Sequence, residues 1–303
     1  MSDDSNKPDY GLLMQILRNH RDAIDVDAFE EKRNHAIEGL RGDTSASAHM
    51  YRSRISYEEG MLRVALEEDE LAARCFGDSG EHALLANDSL RWNVGKFRST
   101  ITEYFADILS ANETYTSLMD TYAKRPKRQD VLEQDHGFLE NSDLNFLKRL
   151  NEISFDAGAT DAQTRAEEYM EHPIIVQGVA DGVPMYLLVK CQTEARLLML
   201  DEGYDQAVNI LSSYLDVDVA NSTIPSWVGE DLSALKEHAN KEAMEICRDY
   251  RDLGRALLQS SRANKLNLAI HVFEKGLLLP ANKGNKRFLR QIRDDLSRLA
   301  QSS

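Results

Sequence analysis

Residues 184–218 read PMYLLVKCQTEARLLMLDEGYDQAVNILSSYLDVD, and this stretch decides the fold class. Tyr186, Val189, Ala195, Leu198 and Met199 can line one side of a first helix. Asp201, Glu202 and Gly203 supply a turn, and Ala207, Ile210, Leu211 and Tyr214 can line a second helix. One small residue on each helix, Ala195 and Ala207, lets two antiparallel backbones approach closely, as a helical hairpin requires.

The rest of the chain has a matching composition. Six prolines and sixteen glycines among 303 residues are few, and 42% of the residues are hydrophobic, which favours long helices and a sizeable core over a sheet protein. The expected fold is all-α: an N-terminal helical bundle followed by antiparallel helical hairpins. Phe155–Thr164, FDAGATDAQT, is small, polar and without apolar period, so it serves as the domain boundary, with an acidic bundle at 1–156 and a second helical domain at 157–303. HPIIVQGVADGVP, residues 172–184, is the only segment with room for a strand or extended passage.

Charge divides the chain unevenly. The formal net charge is −15, yet residues 247–303 carry twelve Lys and Arg against five Asp and Glu, a net of +7 that leaves −22 on residues 1–246. Such a balance argues against general binding to nucleic acid or anionic membrane. The basic end either binds a second kind of partner or docks on the acidic body. Cys75, Cys191 and Cys247 are far apart and odd in number, which points to free thiols in a reducing compartment. MSDDSNKPDY has no signal-peptide character, and the expected location is cytoplasmic, or nuclear if the basic loop Lys124–Arg128, KRPKR, acts as a localisation signal.

Helices are expected at Val26–Leu40, at Ala46–Cys75 with the acidic run Glu67–Glu70 solvated, and over Ala83–Ala123 with a break near Ala111–Thr114. Leu12, Leu13, Ile16 and Leu17 mark a shorter one ahead of them. GDSGEH, Gly77–His82, reads as a turn. Its GDSG is similar to the surroundings of the nucleophilic serine in chymotrypsin-like proteases, but here the flanks are helical and Glu81 follows, so Gly77 and Gly80 are taken as helix punctuation. Glu133 and His136 form one E-x-x-H pair; di-iron bundles need two such pairs and two further glutamates. Glu31, His35 and Glu38 share a face among flanking charges, and Ser233 and Lys236 satisfy S-x-x-K without accompanying signatures. No catalytic residue, no metal and no cofactor is expected.

The hairpin at 184–218 resembles a tetratricopeptide repeat, chiefly the second half of one: Gly203–Leu211, GYDQAVNIL, is similar to the family's turn, tyrosine, alanine and large apolar residue. Glu194, Cys191 and Tyr214 stand where the family favours leucine, an aromatic and alanine. A second unit, completing a span of about residues 184–282, carries Leu253, Gly254, Ala269, Phe273, Gly276 and Pro280 at similar positions, with extra residues in Ser260–Lys265. A long helix is expected over Glu230–Ser260, and a closing helix over Lys283–Leu299 caps the stack.

The resemblance implies a groove that takes an extended peptide or partner helix, with Gln192, Arg196, Arg251 and Arg255 at its groove-facing positions. Arginines there favour an acidic partner, or they pair with the protein's own acidic half. The function expected is a non-enzymatic adaptor or regulatory subunit. The alternative is a subunit of a nucleic-acid-associated complex, contacting phosphate through Lys283, Lys286, Arg287, Arg290 and Arg293.

Overall fold

The computed structural model describes residues 10–215, 217–219, 226–228, 232–241, 246–281 and 285–302. Among them the chain forms fifteen α-helices and no strand, so the all-α fold is as expected. Two compact units divide it, residues 1–146 and 147–303. The division falls inside a helix, α7 (His136–Ala157), rather than in Phe155–Thr164, which holds the end of α7 and the start of the next helix.

Unit 1 contains α1 (Tyr10–Asp22), α2 (Val26–Gly39), α3 (Ala46–Ala65), α4 (Asp69–Leu85), α5 (Ser89–Phe105), α6 (Ala111–Ala123) and the first half of α7. Packing follows chain order, with α4 lying along both α3 and α5. Four of the helices, α2, α3, α5 and α6, start at side-chain caps. Asp25, Ser45 and Asp88 accept from backbone N–H groups three residues on, and Ser110 with Glu113 forms a capping box, satisfying donors that the first turn leaves open. Leu13, Met14, Leu17, Phe29, Leu40, Ile55 and Leu62 form one apolar cluster. Further along, Phe146 stacks at 4.2 Å from Phe97 and 5.9 Å from Tyr122, centroid to centroid.

Unit 2 contains the rest of α7, α8 (Ala162–Met170), α9 (Pro173–Ala180), α10 (Pro184–Leu200), α11 (Tyr204–Tyr214), α12 (Leu232–Lys241), α13 (Cys247–Gln259), α14 (Lys265–Leu277) and α15 (Lys286–Ser302). The α10–α11 hairpin packs as its small residues require: Ala195 and Ala207 are both fully buried. The same close approach recurs where Gly254 of α13 meets the ring of Phe273 on α14. The segment read as extended, residues 172–184, instead holds α9, with His172 as N-cap and Pro173 at the first helical position, a place where proline loses no hydrogen bond.

One backbone turn closes seven of the described helices. Ile24, Glu67, Asn87, Asp107, Gly158, Gly182 and Glu202 all have φ between 54 and 69°. The residue after each donates its N–H to a carbonyl five back, at 2.7–2.9 Å. This is the left-handed helix stop that satisfies otherwise open carbonyls.

These turns correct several boundaries. The helix read as Ala46–Cys75 ends at Ala65; of the acidic run, Glu67 and Glu68 make the turn into α4, and Asp69 and Glu70 form its first turn. The GDSG segment is no turn: Gly77, Asp78, Ser79 and Gly80 lie inside α4. The span Ala83–Ala123 breaks twice, at Ala86–Asp88 and at Ala106–Ser110, the second a few residues before the expected point. α12 and α13 occupy the span read as Glu230–Ser260, of which residues 230, 231 and 242–245 lie outside the described residues.

Candidate functional site

The residues expected to line a groove lie instead in a charged frame inside unit 2. Its centre is α13, CRDYRDLGRALLQ, whose residues Cys247–Gly254 are all buried despite four charges. Arg196 from α10 pairs with Asp249 at 2.8 Å and with Asp252 at 3.1 Å, and Gln192 donates to Asp249 at 2.6 Å. Arg251 pairs with Asp252 at 2.7 Å and with Asp156 of α7 at 2.8 Å, and Arg248 reaches Asp156 at 3.2 Å. Arg251 also donates to Gln291 on α15 and stands 5.0 Å from the centre of the Phe288 ring.

Three arginines thus face three aspartates, which keeps a buried set of charges neutral; an unmatched ion there would cost several kcal/mol. Arg196 and Arg251 are 6% and 3% exposed, so neither is presented to a partner. Arg255 is the outlier of the four, 40% exposed and paired with Asp295 at 2.7 Å.

Burial separates the acids. Desolvation outweighs Arg196 at Asp249 and pushes its carboxyl up to about 6, while Arg251, Arg196 and Arg248 together hold Asp252 below the usual range against the same burial penalty. Nearby Glu152, desolvated but facing Arg149, Lys148 and Arg248, is pulled down to about 2.

Of the other expected contacts, Arg290 and Arg293 on α15 are exposed and Lys286 is half-buried, but Arg287 is 7% exposed and belongs to the interior. Lys283 lies outside the described residues. In the basic loop, Arg125 stacks over the Tyr122 ring at 3.6 Å and Arg128 pairs with Glu140 at 2.8 Å. Glu133 and His136 do not share a helical face, because Glu133 stands in a 3-10 turn and His136 opens α7, its Nε2 3.2 Å from the carbonyl oxygens of Arg128 and Val131. Among the described residues no group of three or more His, Cys, Asp or Glu is placed to hold a metal ion. Ser79 is buried against Ser53 with a 3.3 Å hydroxyl contact, and burial pushes the Cys75 and Cys247 thiols up to about 12. No single described helix is long and apolar enough to cross a membrane.

A second locus was not visible in the sequence. A cavity of about 320 Å³ opens in unit 1, where Arg18 of α1, Arg54 of α3 and Arg91 of α5 converge. Arg54 stands four residues before Glu58, a spacing that ordinarily makes an ion pair. In the structure Glu58 is taken by Arg18, at 2.7 Å, and by Arg21. Three arginines from helices distant in sequence meet only through the packing of α1, α3 and α5.

Comparison with protein-family models, with curated proteins and with solved structures finds no match for this chain.

Proposed function

We propose that the chain is a non-enzymatic adaptor or regulatory subunit of the cytoplasm, tetratricopeptide-like in its second unit, that works by holding a partner polypeptide against its helices. One observation carries this reading: the same left-handed turn joins helix after helix. Helices joined in chain order this way pack on their neighbours within each unit and leave their outer faces available for contact. The buried arginine–aspartate frame supports it by fixing α7, α10, α13 and α15 against one another. Arg196 and Arg251 then act as framework, and the acidic partner meets the exposed Arg290 and Arg293.

A second reading takes support from the same two arginines, one turn apart on α15: contact with nucleic-acid phosphate. Purification of the tagged full chain from its native host, then remixing with the purified partner under size-exclusion chromatography and light scattering, separates the two. The adaptor reading expects a stoichiometric protein complex that Arg290→Glu with Arg293→Glu weakens. Nucleic acid in place of protein, with log K falling against log salt by about 0.9 per phosphate contact, establishes the second reading. Turnover by the isolated chain overturns both.

A further inference from the structure

The cavity in unit 1 has the composition of a small-molecule site. At about 320 Å³ it falls at the lower end of the range for such sites, about 300–1,000 Å³. Tyr57, Val94 and Phe138 give it aromatic and aliphatic lining, and Ser53 and Ser79 contribute hydroxyls. Its charged lining is three guanidiniums, Arg18, Arg54 and Arg91, against two carboxylates, Glu58 and Asp135, a surplus of one positive charge.

Among these guanidiniums Arg54 is the one without a side-chain partner among the described residues. Arg91 is held by Asp88, and Arg18 and Arg21 share Glu58. Arg54 is half-buried and makes no side-chain hydrogen bond or ion pair among the described residues. Desolvation and repulsion by Arg91 outweigh the attraction of Asp88 at its guanidinium, which lowers its affinity for its proton. A cation held in that state is costly unless an anion completes it, and a guanidinium offers a planar fork of donors matched to a carboxylate. Arg18 donates to Glu58 through its Nε, leaving its terminal nitrogens to join.

We propose that this cavity binds a small organic monoanion, a carboxylate carried on a compact aromatic or aliphatic body, with Arg54 as the principal anion contact and Tyr57, Val94 and Phe138 against the apolar part. Asp135 also lines the cavity, and its charge disfavours ligands with a second acid group.

Thermal melts and calorimetric titration of the full chain at constant ionic strength test this, with benzoate, its neutral amide benzamide and inorganic phosphate as probes. Benzoate is expected to raise Tm saturably over the millimolar range and benzamide to leave it unchanged. Arg54→Met removes the unmatched charge at similar volume; it is expected to raise Tm without ligand and to weaken benzoate roughly tenfold or more. Asp135→Asn is expected to tighten benzoate severalfold.

A benzoate response that survives in Arg54→Met overturns the assignment, as does its absence in the unmodified chain. A lower Tm for both Arg54→Met and Asp135→Asn without ligand also overturns it, because the two would then be a structural ion pair. Saturable, Arg54-dependent stabilisation by phosphate without any by benzoate overturns the carboxylate class.

Discussion

A Cβ placed on Gly95 would stand 2.7 Å from the backbone nitrogen of Gly80, so α4 and α5 touch backbone to backbone where these two glycines meet. Glycine is usually a liability inside a helix, by about 1 kcal/mol against alanine. Here that cost is offset by an approach no side chain would allow. Gly95→Ala is therefore expected to destabilise unit 1 by roughly 1–3 kcal/mol through overpacking, despite its better helix propensity. Gly77→Ala on α4, with nothing nearer than Ser99 Oγ at 3.8 Å, is expected to stabilise by up to about 1 kcal/mol. Urea denaturation of both variants checks the pair, and equal effects would refute the close approach.

Arg196 and Arg255 should respond in opposite ways to truncation, although both were groove candidates. Arg196→Ala leaves Asp249 and Asp252 buried beside a void, and losing one partner of such a set costs about 3–5 kcal/mol. Arg255→Ala removes a 40%-exposed cation from one ion pair, for which about 0–1 kcal/mol is expected. Chemical denaturation reads both. An Arg196→Ala chain as stable as the parent but unable to hold its partner would return Arg196 to the binding surface.

The frame also gives stability a two-sided dependence on pH. Asp249, raised to about 6 when folded from 3.8, binds its proton more tightly in the folded state, so its contribution grows as pH falls from about 6 towards 3.8. Glu152, lowered to about 2 from 4.5, works the other way: its contribution is complete above 4.5 and is lost as pH falls towards 2. Melts recorded from pH 7 to 3 are expected to show Asp249→Asn removing the gain below pH 6, and Glu152→Gln removing part of the loss below pH 4.5. Parallel curves for Asp249→Asn and the parent would show that this carboxyl is not displaced upward.

How much of this was legible in the sequence depends on distance along the chain. Ala195, Gly203 and Ala207 act within one hairpin, and apolar spacing alone places them. The boundary between α3 and α4 was not legible because its left-handed residue is Glu67, set in a run of helix-favouring glutamates and leucine with no glycine or proline to mark it. Gly80 looked like punctuation because its role is set by Gly95, which sequence does not place beside it. Whether Arg251 faced a groove or paired with the chain's own acids stayed open in the sequence because one of its counter-ions, Asp156, lies about ninety residues earlier. The cavity at Arg54 was not legible because Arg18 and Arg21, which take the nearby Glu58, come from a different helix.

Ile24 provides a last test, at a turn rather than a packed interface. Of the seven left-handed stops it alone carries a β-branched residue, with φ of 54° and a side chain 50% exposed. An L-residue in this conformation pays roughly 1–2 kcal/mol of steric cost, and a branched Cβ sits at the upper end. Little burial offsets it. Glycine relieves the strain but adds freedom to the unfolded chain, worth about 0.4–1 kcal/mol in the opposite direction. Ile24→Gly is thus expected to stabilise unit 1 by up to about 1 kcal/mol, while Ile24→Asn, which keeps a Cβ tolerated in this region, should gain without the entropic loss. A fall in Tm of several degrees for both substitutions would mean that the Ile24 side chain carries a contact its exposure does not reveal.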